Sequence, residues 1–217
     1  YIYIRCRHQY TMDISISELS AAIKKKKELH GIAEPVVLKA IKKYIQDHKI
    51  SLVGSSLDNF KPLIKEVRAE LHSLTGRFIA DSEKRRKMLT NNSITELLAT
   101  HRSTAERLSF YPQLRKIIAS WNISSILDLG SGINPIALAN KKITYYAADI
   151  REDECTLINS YFKKHNIKGK AFICDLRDIK EPLPQADLCL LFKIFDVLEQ
   201  KNHKLAEHIL DIVPCPL

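Results

Sequence analysis

Apolar positions along the chain follow two different periods, and the change between them falls near residue 105. In the first half they recur every three to four residues. Glu34-Pro35 opens a segment that carries Val37, Ile41, Tyr44, Ile45 and His48 on one helical stripe. Proline suits the first turn of a helix, where its missing N–H has no partner to lose. Phe60, Leu63, Ile64, Val67, Leu71 and Leu74 form a second stripe, which Gly76 is placed to close as a C-cap. Ser93, followed three residues later by Glu96, has the form of a capping box ahead of Leu97 and Leu98. These patterns predict an all-α domain over residues 1–104.

Beyond residue 105, short apolar runs alternate with helical stretches. The pattern predicts helices over 112–121, 152–165 and 200–212, and strands over 124–129, 143–150, 170–175 and 186–192. Strands interleaved with helices predict a parallel α/β sheet, doubly wound, over residues 105–217. No stretch approaches the roughly 20 apolar residues of a membrane helix. The opening Tyr1-Ile2-Tyr3-Ile4-Arg5 also lacks the basic-then-apolar order of a signal peptide, and without an initiator Met it reads as an incomplete N-terminus. A cytoplasmic protein with no membrane partner is expected.

Charge separates the halves further. The net charge is +9. Residues 1–100 hold 18 Lys+Arg against 11 Asp+Glu, whereas residues 101–217 hold 16 against 14. Clusters stand at Lys24-Lys25-Lys26-Lys27, at Lys39 with Lys42-Lys43, and at Lys84-Arg85-Arg86-Lys87. Such clusters are either solvated helix faces or the footprint of a polyanion, and their confinement to one half favours a nucleic acid. The five cysteines, Cys6, Cys155, Cys174, Cys189 and Cys215, contain no C-x-x-C pair. Free thiols in a reducing compartment fit better than disulfides, and no metal site is expected.

The candidate chemistry lies at strand ends. Asp128-Leu-Gly130-Ser-Gly132 follows the first strand and precedes a helix, with Asn134 read as N-cap and Pro135 at its first position. Glycines there let the backbone approach a ligand at the carboxyl edge of the sheet. Asp149 closes the second strand, 21 residues after Asp128, where a carboxylate accepts hydrogen bonds from ribose hydroxyls. Asp175, with Leu176, closes the third and is placed to frame an adenine. Each acid alone is an ordinary strand-end residue; three at successive strand ends define a site. The glycine turn holds no lysine, which excludes a phosphate-binding P-loop. It also lacks the third glycine of a dinucleotide fingerprint, and Pro135 removes an amide donor. S-adenosyl-L-methionine, which has no phosphates, fits best.

Three runs carry a resemblance: His101-Arg102-Ser103-Thr104-Ala105-Glu106-Arg107-Leu108; Leu127-Asp128-x-Gly130-x-Gly132-x-Asn134-Pro135-x-Ala137-Leu138; and Leu191-Phe192-Lys193 with Leu198-Glu199. Together with Leu71-His72 and Gly76-x-Phe78, they resemble the aminoglycoside-resistance 16S ribosomal RNA guanine-N7 methyltransferases over roughly residues 65–205. The resemblance implies a Rossmann-like class I methyltransferase fold behind a helical, rRNA-docking domain. It implies that His101, Arg102, Ser103 and Arg107 hold the methionine end of the cofactor, with Arg107 pairing its carboxylate. Gly130 and Gly132 would pass under the cofactor, Asp149 would hold the ribose, and Asp175 and Leu176 would flank the adenine. Phe78 would close over the site, and Phe192 and Lys193 would lie at the rim near the target base. No catalytic base is implied, because guanine N7 offers a free lone pair and alignment suffices.

The implied partner is 16S rRNA within the small ribosomal subunit, met by a monomer, with the decoding-site base presented or flipped. The family continues past the last helix with further strands, so this sheet reads as C-terminally truncated. Two alternatives remain at this level: a methyltransferase for another RNA or rRNA position, and a non-catalytic RNA-binding protein on a relic of the fold.

Overall fold

A computed structural model describes residues 14–52, 56–75, 81–195 and 203–215. Gly76, Phe78, Cys6 and Leu198-Glu199 lie outside the described residues.

The chain divides into two compact units. The first contains α1 (Ile16–Lys24), α2 (Glu34–His48) and α3 (Lys61–Thr75), joined by short 3-10 turns at Lys27–Leu29 and Leu57–Phe60. A full capping box starts α1: Glu18 N–H donates to Ser15 Oγ, and Ser15 N–H donates to Glu18 Oε2 at 2.8 Å. Leu19 and Ile23 of α1, Val37 and Ile41 of α2, and Leu63 and Leu71 of α3 are all buried. The second predicted stripe is thus a core face up to Leu71, whereas the first is core only at Val37 and Ile41; Tyr44 and Ile45 are half-buried and His48 is exposed. Arg68 of α3 donates to the carbonyls of Ala22 and Ile23 at 2.6 and 3.2 Å, satisfying part of the carbonyl end of α1.

The second unit, Gly31–Ala33 with Thr75–Leu217, carries the sheet. Its helices are α4 (Ser82–Thr90), α5 (Ile94–Ala99), α6 (Arg102–Ala105), α7 (Tyr111–Ser120), α8 (Asn134–Leu138), α9 (Glu152–His165) and α10 (His203–Ile212). The strands are β1 (Ser125–Leu129), β2 (Thr144–Asp149), β3 (Gly169–Ile173) and β4 (Leu188–Leu190), all parallel in the order β3-β2-β1-β4. Period-2 alternation sorts the strand side chains between two cores. Ile126, Tyr145, Ala147 and Ala171 join the core with α5, α7, α8 and α9. Leu127, Leu129 and Ala148 join the core on the opposite face, with Ile209 of α10. The predicted doubly wound sheet is present. Its central strand β1 is buried from Ile126 to Leu129, as a parallel strand covered on both faces must be.

The change of period at 105 and the edge of the sheet unit at 75 mark different things. Helices α4 to α6 read as part of the first half, yet Leu89, Leu97 and Leu98 pack in the sheet's core. Ser93 is the N-cap of α5 but makes no side-chain capping bond, so the predicted capping box does not form there. Instead Lys164 of α9 donates to the carbonyls of Leu89 and Thr90 and to Asn92 Oδ1 at 2.6, 2.9 and 2.8 Å, tying down the end of α4. The apolar run 186–192 is strand only over β4, and Asp175 lies two residues beyond the end of β3.

Candidate functional site

The carboxyl edge of β1 and β2 is built around two left-handed glycines. Gly130 (φ +66°) and Gly132 (φ +50°) turn the chain out of β1, a conformation that side chains oppose. Space forbids a side chain as well: a Cβ on Gly130 would meet Ile194 at 2.7 Å, and one on Gly132 would meet His101 Nε2 at 3.0 Å. The turn is stitched to the next strand. Gly132 N–H donates to Asp149 Oδ2 at 2.9 Å, and Arg151 N–H donates to Asp149 Oδ1 at 3.0 Å. The two predicted features, glycine turn and second-strand acid, thus form one structure.

Burial, with the neighbouring Glu154 charge next, pushes Asp149 up to about 7, while the two amides act in the other direction. Asp128 is fully buried inside β1 and accepts from Tyr145 Oη at 2.8 Å. Burial pushes it up to about 7 too, opposed by the Tyr145 hydroxyl and by the Arg107 charge.

Asn134 departs from its predicted role. The N-cap of α8 is Ile133, one residue earlier, and Asn134 occupies the first helical position with Pro135 second. Its side chain is freed from capping and turns inward, where Asn134 Oδ1 accepts from Arg107 Nη2 at 2.8 Å and Tyr111 Oη at 2.6 Å. Arg107 also lies over the Phe192 ring, 5.0 Å from its centroid, a cation–π distance. Arg107 Nε is buried and has no hydrogen-bond partner among the described residues.

His101 is the N-cap of α6, with its ring against Gly132 and its Nε2 3.8 Å from Glu154 Oε1. Burial lowers its basicity; Glu154 opposes that shift, and Arg85, Arg107 and Arg151 reinforce it. A mainly neutral imidazole at pH 7 follows, as suits a packing and positioning residue. Ser103 is half-buried in α6. Arg102 points away: its side chain is 79% exposed and pairs with Glu106 one turn on. Glu106 also takes Lys193, whose φ of 55° bends the chain just after Phe192. Asp175 holds Arg177 in a two-pronged pair, Nε to Oδ1 at 2.8 Å and Nη2 to Oδ2 at 2.7 Å, beside buried Leu176. Of the predicted set, the geometry joins His101, Arg107, Gly130, Gly132, Asp149 and Phe192 with Asn134. It leaves the Arg102 side chain in solvent.

Sequence reasoning missed the charge network beneath. Arg85, read as part of a basic cluster, is 2% exposed; its Nη1 donates to Glu154 Oε1 at 3.0 Å and its Nε to Thr100 Oγ1 at 2.8 Å. Arg151 adds a pair to Asp153 at 2.8 Å. Gly31–Ala33 is built onto the same corner: Ala33 N–H donates to the Ile150 carbonyl, Glu152 N–H donates to the Gly31 carbonyl, and a Cβ on Gly31 would strike the Asp153 carboxylate at 2.2 Å. The one signal in the sequence was Gly31 itself, a glycine just ahead of the α2 pattern. A hollow of about 470 Å³ is lined by residues of α5, α7 and α8, among them Ile94, Leu98, Tyr111, Ile118 and Leu138.

The edge can hold an adenosyl amino acid. The glycine turn is a cradle that a Cβ would fill, and Arg107 Nε is a buried donor awaiting an acceptor. Asp149 stands at the end of the neighbouring strand. Among the described residues no group of three or more metal-ligating side chains is assembled, and no helix is long and apolar enough to cross a membrane.

Comparison with known proteins points to ribosomal RNA methyltransferases. The family model for ribosomal RNA methyltransferase (FmrO) matches residues 88–216. The structure of 16S rRNA methyltransferase RmtF in complex with S-adenosyl-L-homocysteine superposes with a TM-score of 0.76 at 25% identity, covering 94% of this chain and 79% of that one. The 16S rRNA methylase RmtB gives a TM-score of 0.76 at 20% identity over 94% of this chain and 83% of its own. The 16S rRNA methylase ArmA gives 0.52 at 28% identity over 63% and 72%. Curated protein sequences yield no match.

Proposed function

The chain belongs to the FmrO family of ribosomal RNA methyltransferases, and from that premise we propose that it transfers a methyl group from S-adenosyl-L-methionine to N7 of a decoding-site guanine in 16S rRNA of the small ribosomal subunit. One observation carries the cofactor reading: the Gly130–Gly132 turn, locked by its amide to Asp149, opens beside the half-buried Arg107, whose Nε is buried and partnerless among the described residues. Asp149 would hold the ribose, the glycines would underlie the thioether, and Arg107 would take the amino-acid carboxylate. When bound, the donor supplies an electrophilic methyl on sulfonium. RmtF binds S-adenosyl-L-homocysteine, the demethylated product, in a similar fold.

The protein's own part is alignment. A guanine N7 lone pair needs no deprotonation before attack, so the site requires no general base, in keeping with a His101 whose basicity is lowered by burial. The transfer moves the positive charge from the sulfonium to the guanine ring, which stays cationic unless N1 gives up its proton. Phe192 and Lys193, just beyond β4, would stand at the rim, where an extruded base is to be received. The helical unit supplies phosphate contacts through the exposed Lys25, Lys26, Lys27, Lys42 and Lys43, which position rather than specify. The protein acts as a monomer on the assembled subunit.

Methyl transfer from a tritiated donor tests this reading. Small subunits should be labelled, deproteinised 16S rRNA labelled less, and the site revealed by borohydride–aniline strand scission, which reports 7-methylguanosine. A folded protein that binds the donor yet labels neither overturns the enzymatic reading. Label that resists scission overturns the N7 assignment.

A further inference from the structure

We propose that Asn134 and Tyr111 are positioning residues that aim the Arg107 guanidinium at the amino-acid carboxylate of the methyl donor; this assignment rests on the cofactor reading above. Both residues are 1% exposed. They come from different elements, Tyr111 opening α7 and Asn134 opening α8, and they meet at a single atom. Asn134 Oδ1 accepts from Tyr111 Oη at 2.6 Å and from Arg107 Nη2 at 2.8 Å. Because a guanidinium can only donate, the atom facing it must be the amide oxygen. Asn134 N–H in turn donates to the Ser131 carbonyl at 3.0 Å, so the acceptor is anchored to the glycine turn.

The arrangement clamps Arg107 from two directions. Nη2 is held by Asn134 Oδ1 at 2.8 Å, and the guanidinium carbon lies over the Phe192 ring, 5.0 Å from its centroid. A planar fork held at one corner and one face has little freedom left, and Nε remains buried without a partner among the described residues. A buried donor without an acceptor is costly to leave, and a carboxylate arriving there satisfies it with a charge-assisted bond.

The chemistry at position 134 explains why a neutral acceptor is used. A carboxylate would accept the same two donors, but it would pair with the guanidinium and stand as a third acid near Asp128 and Asp149. An amide orients Arg107 and leaves its charge available for the ligand. The Tyr111 hydroxyl occupies the remaining capacity of Oδ1 and stops the amide from rotating. Both are therefore read as acting through Arg107 rather than on the reacting atoms.

Two adenosine ligands separate aiming from general support. S-adenosyl-L-homocysteine carries the amino-acid carboxylate; 5′-methylthioadenosine keeps the adenosine and the sulfur but lacks that group. Calorimetric titrations are made with the parent, Asn134→Ala, Asn134→Asp and Tyr111→Phe. The last removes only a hydroxyl and keeps the ring in the core, so it folds whatever happens to the others. The two Asn134 variants should lose roughly tenfold or more in affinity for S-adenosyl-L-homocysteine and about twofold or less for methylthioadenosine. Tyr111→Phe should show the same selectivity with a smaller loss. In methyl-transfer assays the variants should raise KM for the donor and leave kcat at saturation close to the parent value. Equal losses on both ligands, or unchanged affinity for S-adenosyl-L-homocysteine in folded variants, overturn the assignment while leaving the cofactor reading intact. A parent that binds neither ligand overturns both.

Discussion

Replacing Arg85 with Met breaks a buried ion pair that underlies the site, and the size of the effect follows from its surroundings. Arg85 and Glu154 have side chains only 3% and 2% exposed, with Nη1 to Oε1 at 3.0 Å. Removing one partner of such a pair typically costs about 3–5 kcal/mol, because the other charge is left buried. Here Glu154 keeps Arg151 Nε at 3.8 Å, which places the loss at the lower end, about 3 kcal/mol. The bonds to Thr100 Oγ1 and to its carbonyl go as well. The neighbour Arg86, 73% exposed and paired with Glu83, is the internal control; its replacement by Met should change stability by about 0.5 kcal/mol or less. Urea unfolding followed by far-UV circular dichroism measures both, and the single variant Glu154→Leu with the double variant Arg85→Met/Glu154→Leu completes a thermodynamic cycle. That double variant should be more stable than Arg85→Met alone, since it leaves no carboxylate stranded. A cost below about 1 kcal/mol for Arg85→Met, with coupling near zero, would refute the buried pair and return Arg85 to the solvated cluster its sequence neighbourhood suggests.

Three further outcomes follow from the site. Asp149→Ala should abolish calorimetrically detectable binding of S-adenosyl-L-homocysteine while leaving the fold intact; an unchanged affinity would sink the ribose assignment. Asp128 and Asp149 are both raised from ordinary carboxylate values to about 7, so the folded chain holds their protons to higher pH than the unfolded chain does. Their contribution to stability is complete below about pH 4 and is lost as pH rises through 7, and Asp128→Asn should flatten that decline; an equally steep profile in the variant would contradict it. Gly132→Ala should destabilise the chain by about 1–2 kcal/mol, since its φ of +50° and the His101 ring at 3.0 Å both oppose a Cβ, and a Tm equal to the parent's would show that the turn relaxes.

The family resemblance, legible in a few short runs, agrees with the family-model match to residues 88–216. The legible parts share a property: each depends on residues close together in the chain. Helical stripes, alternating strands and the glycine turn are local, as is an acid at the end of an apolar run, and the helix 152–165 is found where its periodicity puts it. What went unread depends on pairs distant in sequence. Arg85 looks solvated beside Lys84, Arg86 and Lys87 until Glu154, 69 residues on, arrives to neutralise it. Asn134 before Pro135 has every local mark of a helix cap, yet Arg107 and Tyr111, 27 and 23 residues earlier, draw its side chain inward and Ile133 takes the cap position.

Local sequence set the class of fold, the succession of strands and helices, and the placing of acids beside strand ends, because backbone propensity and burial period are properties of short segments. Which of several equivalent-looking charges are buried and which face solvent is set by packing between distant segments. It turns Arg102 outward and Arg107 inward from neighbouring turns of chain. The desolvation penalty of a charged group depends on every partner that surrounds it, and those partners are brought together only when the sheet and its helices pack.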